Sequence, residues 1–560
     1  MGCTGIDSVS IPASVKVICN QAFANCTGMV SMTIPNTVDS IGNNAFLKVK
    51  NIIYHGTAMG EPWGALTLNG TFDGDFIYSS DNLTVYTGTE SVVAIPDSIS
   101  TIGNSAFEGC TTVTEVVIPE TVTEIGSNAF SGCENLSSVN IPTSVTSISE
   151  GAFANCSSLD SVAIPESVTE IGNGAFNSCT SLTVIDIPES VTSIGSDAFA
   201  GCSKLDTIVI PESVTEIGNN AFSGCTNLSS VNIPSSIQSI NDGAFANCTS
   251  LDSIVLPENL TGIGSNAFSS CTSLSTIEIP ESVENIGAAA FAGCVKLDSV
   301  IIPESVTAIG DSAFSGCTSL TSIGIPTSIT AIGANTFSGC VKLDSVAIPE
   351  SVTEIGSGAF NGCASLSSID IPSSVTQIGD GAFAFCSSLE TVQIGEIDSV
   401  ENTFKSKIIA LGNEDVVIGA RAFYGCEGLK SVYIPISVTN IGDSAFAGCK
   451  NLTIYCEAKS KPEGWSDQWN PDNCKVVWAY NSVEELGTAV TESAATIVSI
   501  YACGNVIVVE EADAEVSVFD INGRMIAKAK AVSSRIELPM AIQGVYIVKV
   551  GNAVKRVAIN

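Results

Sequence analysis

One motif of this chain recurs at intervals of 23 residues along most of its length. Thirteen cysteines follow one another at that spacing from Cys110 to Cys386. A phenylalanine stands three positions before each of them, as Phe130 does before Cys133. A fixed period of this length is the signature of a solenoid, in which each turn packs only against its neighbours. The repeat therefore predicts one stack of turns rather than the several globular domains that 560 residues would otherwise imply.

One turn can be followed through residues 136–156, which read LSSVNIPTSVTSISEGAFANC. Leu136, Val139 and Ile141 have the spacing of a strand with one buried face, so positions 138 and 140 should point to the open face. The proline that follows ends the strand, because it lacks an N–H. The SVTSI segment predicts a second short buried stretch, and the glycine that comes next in most turns, such as Gly126, predicts a turn with positive φ. The AFANC segment predicts a short helical turn that buries its alanine, phenylalanine and cysteine.

Departures from the period divide the chain. The predicted segments are the solenoid (1–454), its two inserts (about 50–90 and 394–415), a tryptophan-rich cap (455–480), a linker (481–493) and a small β-sandwich-like domain (494–560). Aromatic residues and turn residues in the first insert predict hairpin-like strands at the solenoid edge. Cys3 stands 23 residues before Cys26, so the chain opens within a repeat. We therefore expect a truncated first turn and a missing N-terminal cap.

The turn resembles a leucine-rich repeat, L-x-x-L-x-L-x-x-N/C-x-L. Leu136, Val139 and Ile141 match its first apolar places, and Ser144 occupies the Asn/Cys place, where a hydroxyl can bond to backbone groups of the turn. The fuller pattern IPxSVxxIGxxAFxxC is more similar still to the BspA-like class of bacterial surface proteins. This resemblance covers roughly residues 1–480. It implies a right-handed, mainly β solenoid with short helical turns, a parallel sheet on its concave face, and an extracellular or bacterial cell-surface location.

The C-terminal segment resembles the sorting domains that type IX secretion recognises. The turn at Asp520–Arg524 and the strand at Gly544–Val550 carry this resemblance, although a lysine-rich ending is missing. It implies export by that route, and the alternative is a plain β module at the end of the chain.

The charge of the chain is strongly negative. Its 58 Asp and Glu residues outnumber 21 Lys and Arg residues, which gives a net charge of −37. Such a surface argues against nucleic acid and against adsorption to an anionic membrane. The sequence has no apolar run long enough to span a bilayer, and its opening MGCTGIDSVSIP lacks the features of a signal peptide. These features predict neither nucleic-acid binding nor membrane insertion.

Catalytic and metal sites are not predicted. His55 is the only histidine, so a metal site with several histidine ligands cannot form. A catalytic pair of a nucleophile and a histidine would have to use this one residue. An acidic residue follows the proline in many turns, and a row of these carboxylates could collect Ca²⁺. Thr143, Ser235 and Thr327 interrupt that row, which favours a solvated acidic rim. We therefore predict no catalytic residues, no metal and no cofactor.

The cysteines at the repeat spacing predict a buried ladder of free thiols, because equivalent side chains in a stack point the same way. Its members are Cys110, Cys133, Cys156, Cys179, Cys202, Cys225, Cys248, Cys271, Cys294, Cys317, Cys340, Cys363 and Cys386. Cys456 and Cys474 lie outside the spacing, and we consider them the pair best placed to form a disulfide.

Two outward rows should share the open face of the parallel sheet. One is nearly uniform serine, whereas the neighbouring row varies while the rest of the repeat stays nearly constant. The candidate binding residues in this varied row are Val117, Asn140, Asp186, Val209, Asn232, Val255, Glu278, Ile301, Asp370, Gln393 and Tyr433. Their variation favours adhesion to a host or extracellular matrix protein. Glycan capture is the alternative, and an intracellular scaffold is less favoured. Variation at tolerant solvent sites would explain the row about as well as recognition of a partner, and the exposed valines and isoleucine favour recognition.

Overall fold

The computed structural model describes residues 9–29, 32–35, 37–49, 52–54, 72–73, 75–79, 81–394 and 415–480, together with seven strands between residues 499 and 559. Cys3, His55, residues 395–414 and residues 481–493 lie outside the described residues. The chain divides into two compact units, Met1–Tyr480 and Asn481–Asn560.

The first unit is a β-solenoid, and the first strand of each turn belongs to a row of parallel strands that we call sheet A. In a representative pair, Ser299, Val300 and Ile301 lie beside the strand one turn earlier, with the middle residue buried and its two neighbours exposed. The strands of sheet A are Met32–Ile34, Ile52–Tyr54, Val92–Ala94, Glu115–Val117, Ser138–Val139, Ser161–Ala163, Val184–Asp186, Thr207–Ile208, Ser230–Val231, Thr276–Glu278, Ser299–Ile301, Ser322–Gly324, Ser345–Ala347, Ser368–Ile371, Thr391–Ile394, Ser431–Ile434, Thr453–Cys456 and Lys475–Val477. The alternation of apolar and polar residues predicted this row.

A second row of parallel strands, sheet B, is formed by the SVTxI segments and confirms the second buried stretch. In each of the two-residue pairs the isoleucine faces the core, as Ile125 does beside Ile102. The strands of sheet B are Val17–Ile18, Ser40–Ile41, Asn82–Tyr86, Thr101–Ile102, Glu124–Ile125, Ser147–Ile148, Glu170–Ile171, Ser193–Ile194, Glu216–Ile217, Ser239–Ile240, Gly262–Ile263, Asn285–Ile286, Ala308–Ile309, Ala331–Ile332, Glu354–Ile355, Gln377–Ile378, Val416–Ile418 and Val438–Ile441.

The AFxxC segment forms hydrogen-bonded turns, and no helix occurs in the part of the chain that the structure describes. The predicted short helical turn is therefore wrong. Alternate N–H groups of the segment bond to the next turn instead of to the segment itself. The N–H of Phe130 donates to Ala152 O at 2.8 Å, whereas the N–H of Cys133 donates to Phe130 O at 3.1 Å. Because every second donor bonds to the next turn, the i→i−4 ladder of an α-helix cannot form.

The glycine after the second strand also differs from its prediction. Gly126 does not have a positive φ, and a Cβ on it would lie 2.7 Å from the backbone nitrogen of Asn104 in the preceding turn. The close approach of two turns therefore requires this glycine. Positive φ occurs further along, at Asn128 (55°) and at Gly132 (71°).

A column of stacked phenylalanines fills the interior. The rings of Phe153 and Phe176 have centroids 5.4 Å apart and planes within 6°, and this geometry recurs from turn to turn. Tyr86 continues the column beside Phe107 at 5.0 Å, and Trp469 meets its far end at Phe446. Offset stacking of this kind adds to the stability from buried area. The solenoid thus has one long core over residues 83–469 and a smaller core over residues 18–52.

The first insert and the C-terminal unit contain antiparallel strands. Phe72–Asp73, Phe76–Ser79 and Asn82–Tyr86 form an antiparallel meander whose last strand joins sheet B, which confirms the hairpin-like strands for these residues. In the C-terminal unit one sheet has the order Ser499–Cys503, Val506–Glu510, Arg535–Pro539, and the second has the order Met525–Ala529, Val516–Asp520, Gly544–Val550, Ala553–Ile559. The two sheets contact each other through their strands at 499–503 and 553–559.

Candidate functional site: the open face of sheet A

The described side chains of the varied row lie on the open face of sheet A, as their alternation with buried residues predicted. The side chain of Gln393 lies outside the described part of the structure. Val209 is 72% exposed, Val255 is 82% exposed and Ile301 is 72% exposed, which are high values for apolar side chains. The carboxylates of Asp186 and Glu278 are exposed, and neither takes part in a hydrogen bond or an ion pair with a described residue. These five side chains are therefore available to a partner.

The two asparagines of the row have a structural role that the sequence did not reveal. The side-chain oxygen of Asn140 accepts from the N–H of Ile118, and its side-chain nitrogen donates to the carbonyl of Ile118, both at 2.8 Å. Asn232 accepts from the N–H of Ile210 and donates to its carbonyl at the same distances. Each amide thus bonds to the backbone just beyond the paired residues of two adjacent strands, and both its oxygen and its nitrogen already have a hydrogen-bond partner.

Tyr433, at the C-terminal end of the row, is half-buried. Its hydroxyl donates to the carboxylate of Glu457, and its ring packs edge-on against Tyr480 at 6.1 Å. Burial, followed by the hydrogen bond from Tyr433 to Glu457, raises the pKa of the Tyr433 hydroxyl well above its ordinary value. This residue is held in place by its neighbours and is less accessible than the valines and the isoleucine.

The serine row beside it is tied to the sheet as well. Ser161 Oγ donates to Asp160 Oδ1 at 2.9 Å, and Ser253 and Ser299 make the same contact with the aspartate that precedes each of them. These serine hydroxyls are therefore already engaged, whereas Val209, Val255 and Ile301 of the varied row remain exposed.

The varied row repeats every four turns, a regularity that the 23-residue spacing conceals. Equivalent side chains 92 residues apart are Val117, Val209 and Ile301 (apolar and β-branched), Asn140 and Asn232 (amide), Ala163, Val255 and Ala347 (apolar), and Asp186, Glu278 and Asp370 (acidic). The flanking sequence repeats with them, because residues 134–142 read ENLSSVNIP and residues 226–234 read TNLSSVNIP. Gly324 stands 92 residues after Asn232, at the position where the two earlier copies have asparagine. A comparison of turns four apart would have revealed this order from the sequence.

The acidic rim beside the row follows the same four-turn order. The Glu120 carboxylate accepts hydrogen bonds from the N–H of Thr143 at 3.0 Å and from its hydroxyl at 2.8 Å. The same contact joins Glu212 to Ser235 and Glu304 to Thr327. The residues that interrupt the acidic row are therefore partners of the glutamates before them.

Sheet A is interrupted within this region. The turn that contains Val255 has no sheet A strand, and only a single bridge joins Val255 to Asn232. A hollow of about 430 Å³ lies there, lined by Glu212, Val255 and Glu258 among others. The open face is therefore shallow rather than enclosed.

Comparison with known proteins agrees with this repeat geometry. The family model described as the BspA type leucine rich repeat region matches residues 1–55, 85–206, 169–298, 284–408 and 400–512. This chain belongs to the BspA-type leucine-rich-repeat family. None of the curated proteins compared with it is similar to it.

Two solved structures resemble this BspA-type chain in sequence. A leucine-rich repeat protein from Bacteroides ovatus is 30% identical over 73% of this chain and 97% of its own, with a TM-score of 0.49. A leucine-rich cell surface protein from Faecalibacterium prausnitzii is 32% identical over 60% of this chain and 96% of its own, with a TM-score of 0.40.

From Cys133 onward, the cysteine of each BspA-type turn contacts the backbone of the preceding turn. Cys179 Sγ donates to Phe153 O at 3.2 Å, and this contact recurs from Cys133 to Cys449. Burial raises the pKa of the Cys179 thiol to about 12. Every cysteine from Cys19 to Cys474 is a free thiol, and in the ladder only Cys110 is partly exposed.

The expected disulfide between Cys456 and Cys474 is not formed, since both are free. Lys475 pairs with Thr453, so Cys474 stands beside Leu452, four residues from Cys456. Four residues of strand span about 13 Å, whereas a disulfide needs Cα atoms about 4.4–6.8 Å apart. Cys474 Sγ instead donates to Cys449 O at 3.3 Å.

The described residues contain no group of three or more His, Cys, Asp or Glu side chains that could hold a metal ion. They also contain no helix long and apolar enough to cross a membrane.

Proposed function

We propose that this BspA-type protein is an extracellular or cell-surface adhesion protein that recognises a host protein, or a similar macromolecule, along the open face of sheet A. The observation that carries the proposal is the exposure of Val209, Val255 and Ile301 on a face whose other row is serine. Isolated exposed apolar residues are ordinary, but a line of them on one sheet face marks a surface that a partner can cover.

The family membership supports a binding role, because stacked repeats present an extended surface without a catalytic pocket. The Faecalibacterium prausnitzii relative is a cell surface protein, which supports the proposed location. We propose no enzymatic activity, since the described face brings together no nucleophile with a base.

Glycan capture is the second candidate, and an aromatic cluster at the end of the row favours it. The rings of Tyr455 and Tyr480 lie 4.7 Å apart, and Tyr433 packs against Tyr480. Aromatic rings offer apolar faces with polar tips, which suits the mixed surface of a sugar.

Parallel screens of the full chain test the two candidates. The protein is applied to an array of extracellular matrix proteins and to a glycan array at physiological salt. We expect saturable binding to at least one protein and none to glycans. A glycan signal with no protein signal would replace the first candidate by the second.

We also propose that residues 494–560 direct export, as the resemblance to type IX sorting domains implies. The antiparallel two-sheet arrangement of the C-terminal unit supports this role. Expression in a bacterium that has type IX secretion, with and without residues 494–560, tests it. The full chain should reach the surface and the shortened chain should not, and equal surface levels would contradict the proposal.

A further inference from the structure

We propose that the varied row holds a basic, partly apolar segment of the protein partner at two equivalent stations. The first station consists of Asp186 and Val209, and the second consists of Glu278 and Ile301. This inference rests on the proposed function and specifies the chemistry of the partner.

Each station places an acidic side chain beside an apolar one. Glu278 and Ile301 are paired directly in adjacent parallel strands of sheet A. Asp186 and Val209 occupy the same repeat positions 92 residues earlier, in neighbouring turns whose strands, Val184–Asp186 and Thr207–Ile208, contact each other without ladder pairing. Neighbouring strands are about 4.8 Å apart, so one long side chain can touch both members. The aliphatic stem of arginine or lysine fits the apolar residue while its charged end reaches the carboxylate.

The charge around the stations favours a basic partner over an acidic one. Lys204, Lys296 and Lys342 are the only cationic residues in the sequence from 81 to 394, where acidic residues recur in nearly every turn. No described cation neutralises the carboxylates of Asp186 and Glu278. A surface of one sign attracts the opposite sign during encounter and repels partners of its own sign.

The four-turn order limits the number of stations to two. Asp370 lies beside Gln393, so the third copy lacks the apolar member. Val117 follows Ala94 one turn earlier, so the first copy lacks the acidic member. Between the two complete stations, Asn232 is bound to the backbone and Val255 remains 82% exposed, which gives the partner an apolar contact midway.

The distance between the stations specifies the spacing in the partner. Four turns correspond to about 19 Å, which an extended segment covers in about six residues. Because side chains alternate along a strand, residues six apart point to the same side. The preferred segment therefore carries two basic residues six positions apart with apolar residues between them.

Synthetic peptides and the full chain test this spacing by calorimetry at physiological salt. One extended peptide has two arginines six residues apart on a valine–threonine background, and the control has the same composition with the arginines three residues apart. We expect one-to-one binding of the first peptide, about tenfold tighter than the second, because two stations act together. Equal affinities for the two peptides, or binding of neither, would overturn the proposal.

Matched variants test which carboxylates are used. Asp186→Asn with Glu278→Gln should weaken binding of the six-residue peptide about tenfold. Glu189→Gln with Glu281→Gln removes the same charge from two rim positions that are also 92 residues apart, and should change the affinity less than about twofold. Equal losses in both pairs would show a nonspecific charge effect and reject the stations.

The same variants separate this inference from the proposed function. If a matrix protein found in the array binds the full chain and the Asp186/Glu278 variant equally well, the stations are rejected and the adhesive function stands. If the full chain binds no protein in the array, the adhesive function itself is rejected.

Discussion

At the residue scale, equivalent positions of the repeat have different roles. Val209 and Asn232 are successive members of one row, yet the first is exposed and apolar while the second completes the hydrogen bonds of Ile210. Members of one row therefore differ in role, because some are simply exposed while others complete the hydrogen bonds of an adjacent strand.

Replacing Asn232 with aspartate separates these roles. The carboxylate can still accept from the N–H of Ile210 but cannot donate to its carbonyl, so two oxygens face each other. We expect Asn232→Asp to lower the free energy of unfolding by about 1–3 kcal/mol in urea titrations. Asp186→Asn, on the same row without such bonds, should change it by less than about 0.5 kcal/mol. Equal effects of the two substitutions would contradict the structural role of Asn232.

At the scale of the single turn, the glycines show that packing between turns decides which residues are required. Gly126 lies against the backbone of Asn104, whereas Gly132 has an αL conformation and its added Cβ would meet Gly109 at 3.6 Å. The first glycine is needed for space and the second for its φ angle.

This difference predicts unequal costs of alanine. Gly126→Ala pushes its turn away from the backbone of Asn104 and should destabilise the protein by about 2–3 kcal/mol. Gly132→Ala adds only the cost of an alanine in the αL conformation, about 1 kcal/mol. Urea titration of the two variants measures the costs, and hydrogen exchange near Asn104 should increase only in Gly126→Ala. A larger cost for Gly132→Ala would contradict this account.

Much of the turn could be predicted because its signals are local. Alternating residues revealed sheet A, and the Asn/Cys place was correctly assigned to a hydroxyl, since Ser190 Oγ donates to Val168 O at 2.6 Å. The role of Gly126 and the lack of a helix depend on bonds between turns, which one repeat does not encode. The Cys474 register and the Asn232 contact likewise depend on residues more than twenty positions away.

At the scale of the whole molecule, the cysteine ladder makes the free energy of unfolding depend on pH. Burial raises the thiol pKa of Cys133, Cys179, Cys225, Cys294 and Cys340 to about 12, from an ordinary value near 9. Below pH 9 both the folded and the unfolded chain keep these protons. Between pH 9 and 12 the unfolded chain loses them first, so the folded state loses stability as the pH rises.

The expected slope is about 1.4 kcal/mol per pH unit for each buried thiol. Urea titrations between pH 8 and 11 under reducing conditions should show a steep fall in stability. The Cys179→Ala/Cys225→Ala variant should be less stable at pH 8 but show a slope smaller by about 2.8 kcal/mol per pH unit. An unchanged slope would contradict the ladder of buried, protonated thiols.

The central claim is that partner binding occurs on the open face of sheet A. Two charge-matched variants test it, and each carries three lysines at exposed positions 46 residues apart. The sheet A variant has Val209→Lys, Val255→Lys and Ile301→Lys. The control variant has Thr215→Lys, Thr261→Lys and Thr307→Lys, next to sheet B. The decisive measurement is the affinity of both variants for the matrix protein that binds the full chain. We predict that the sheet A variant loses at least about tenfold in affinity while the other variant retains it, and the reverse order would contradict the account.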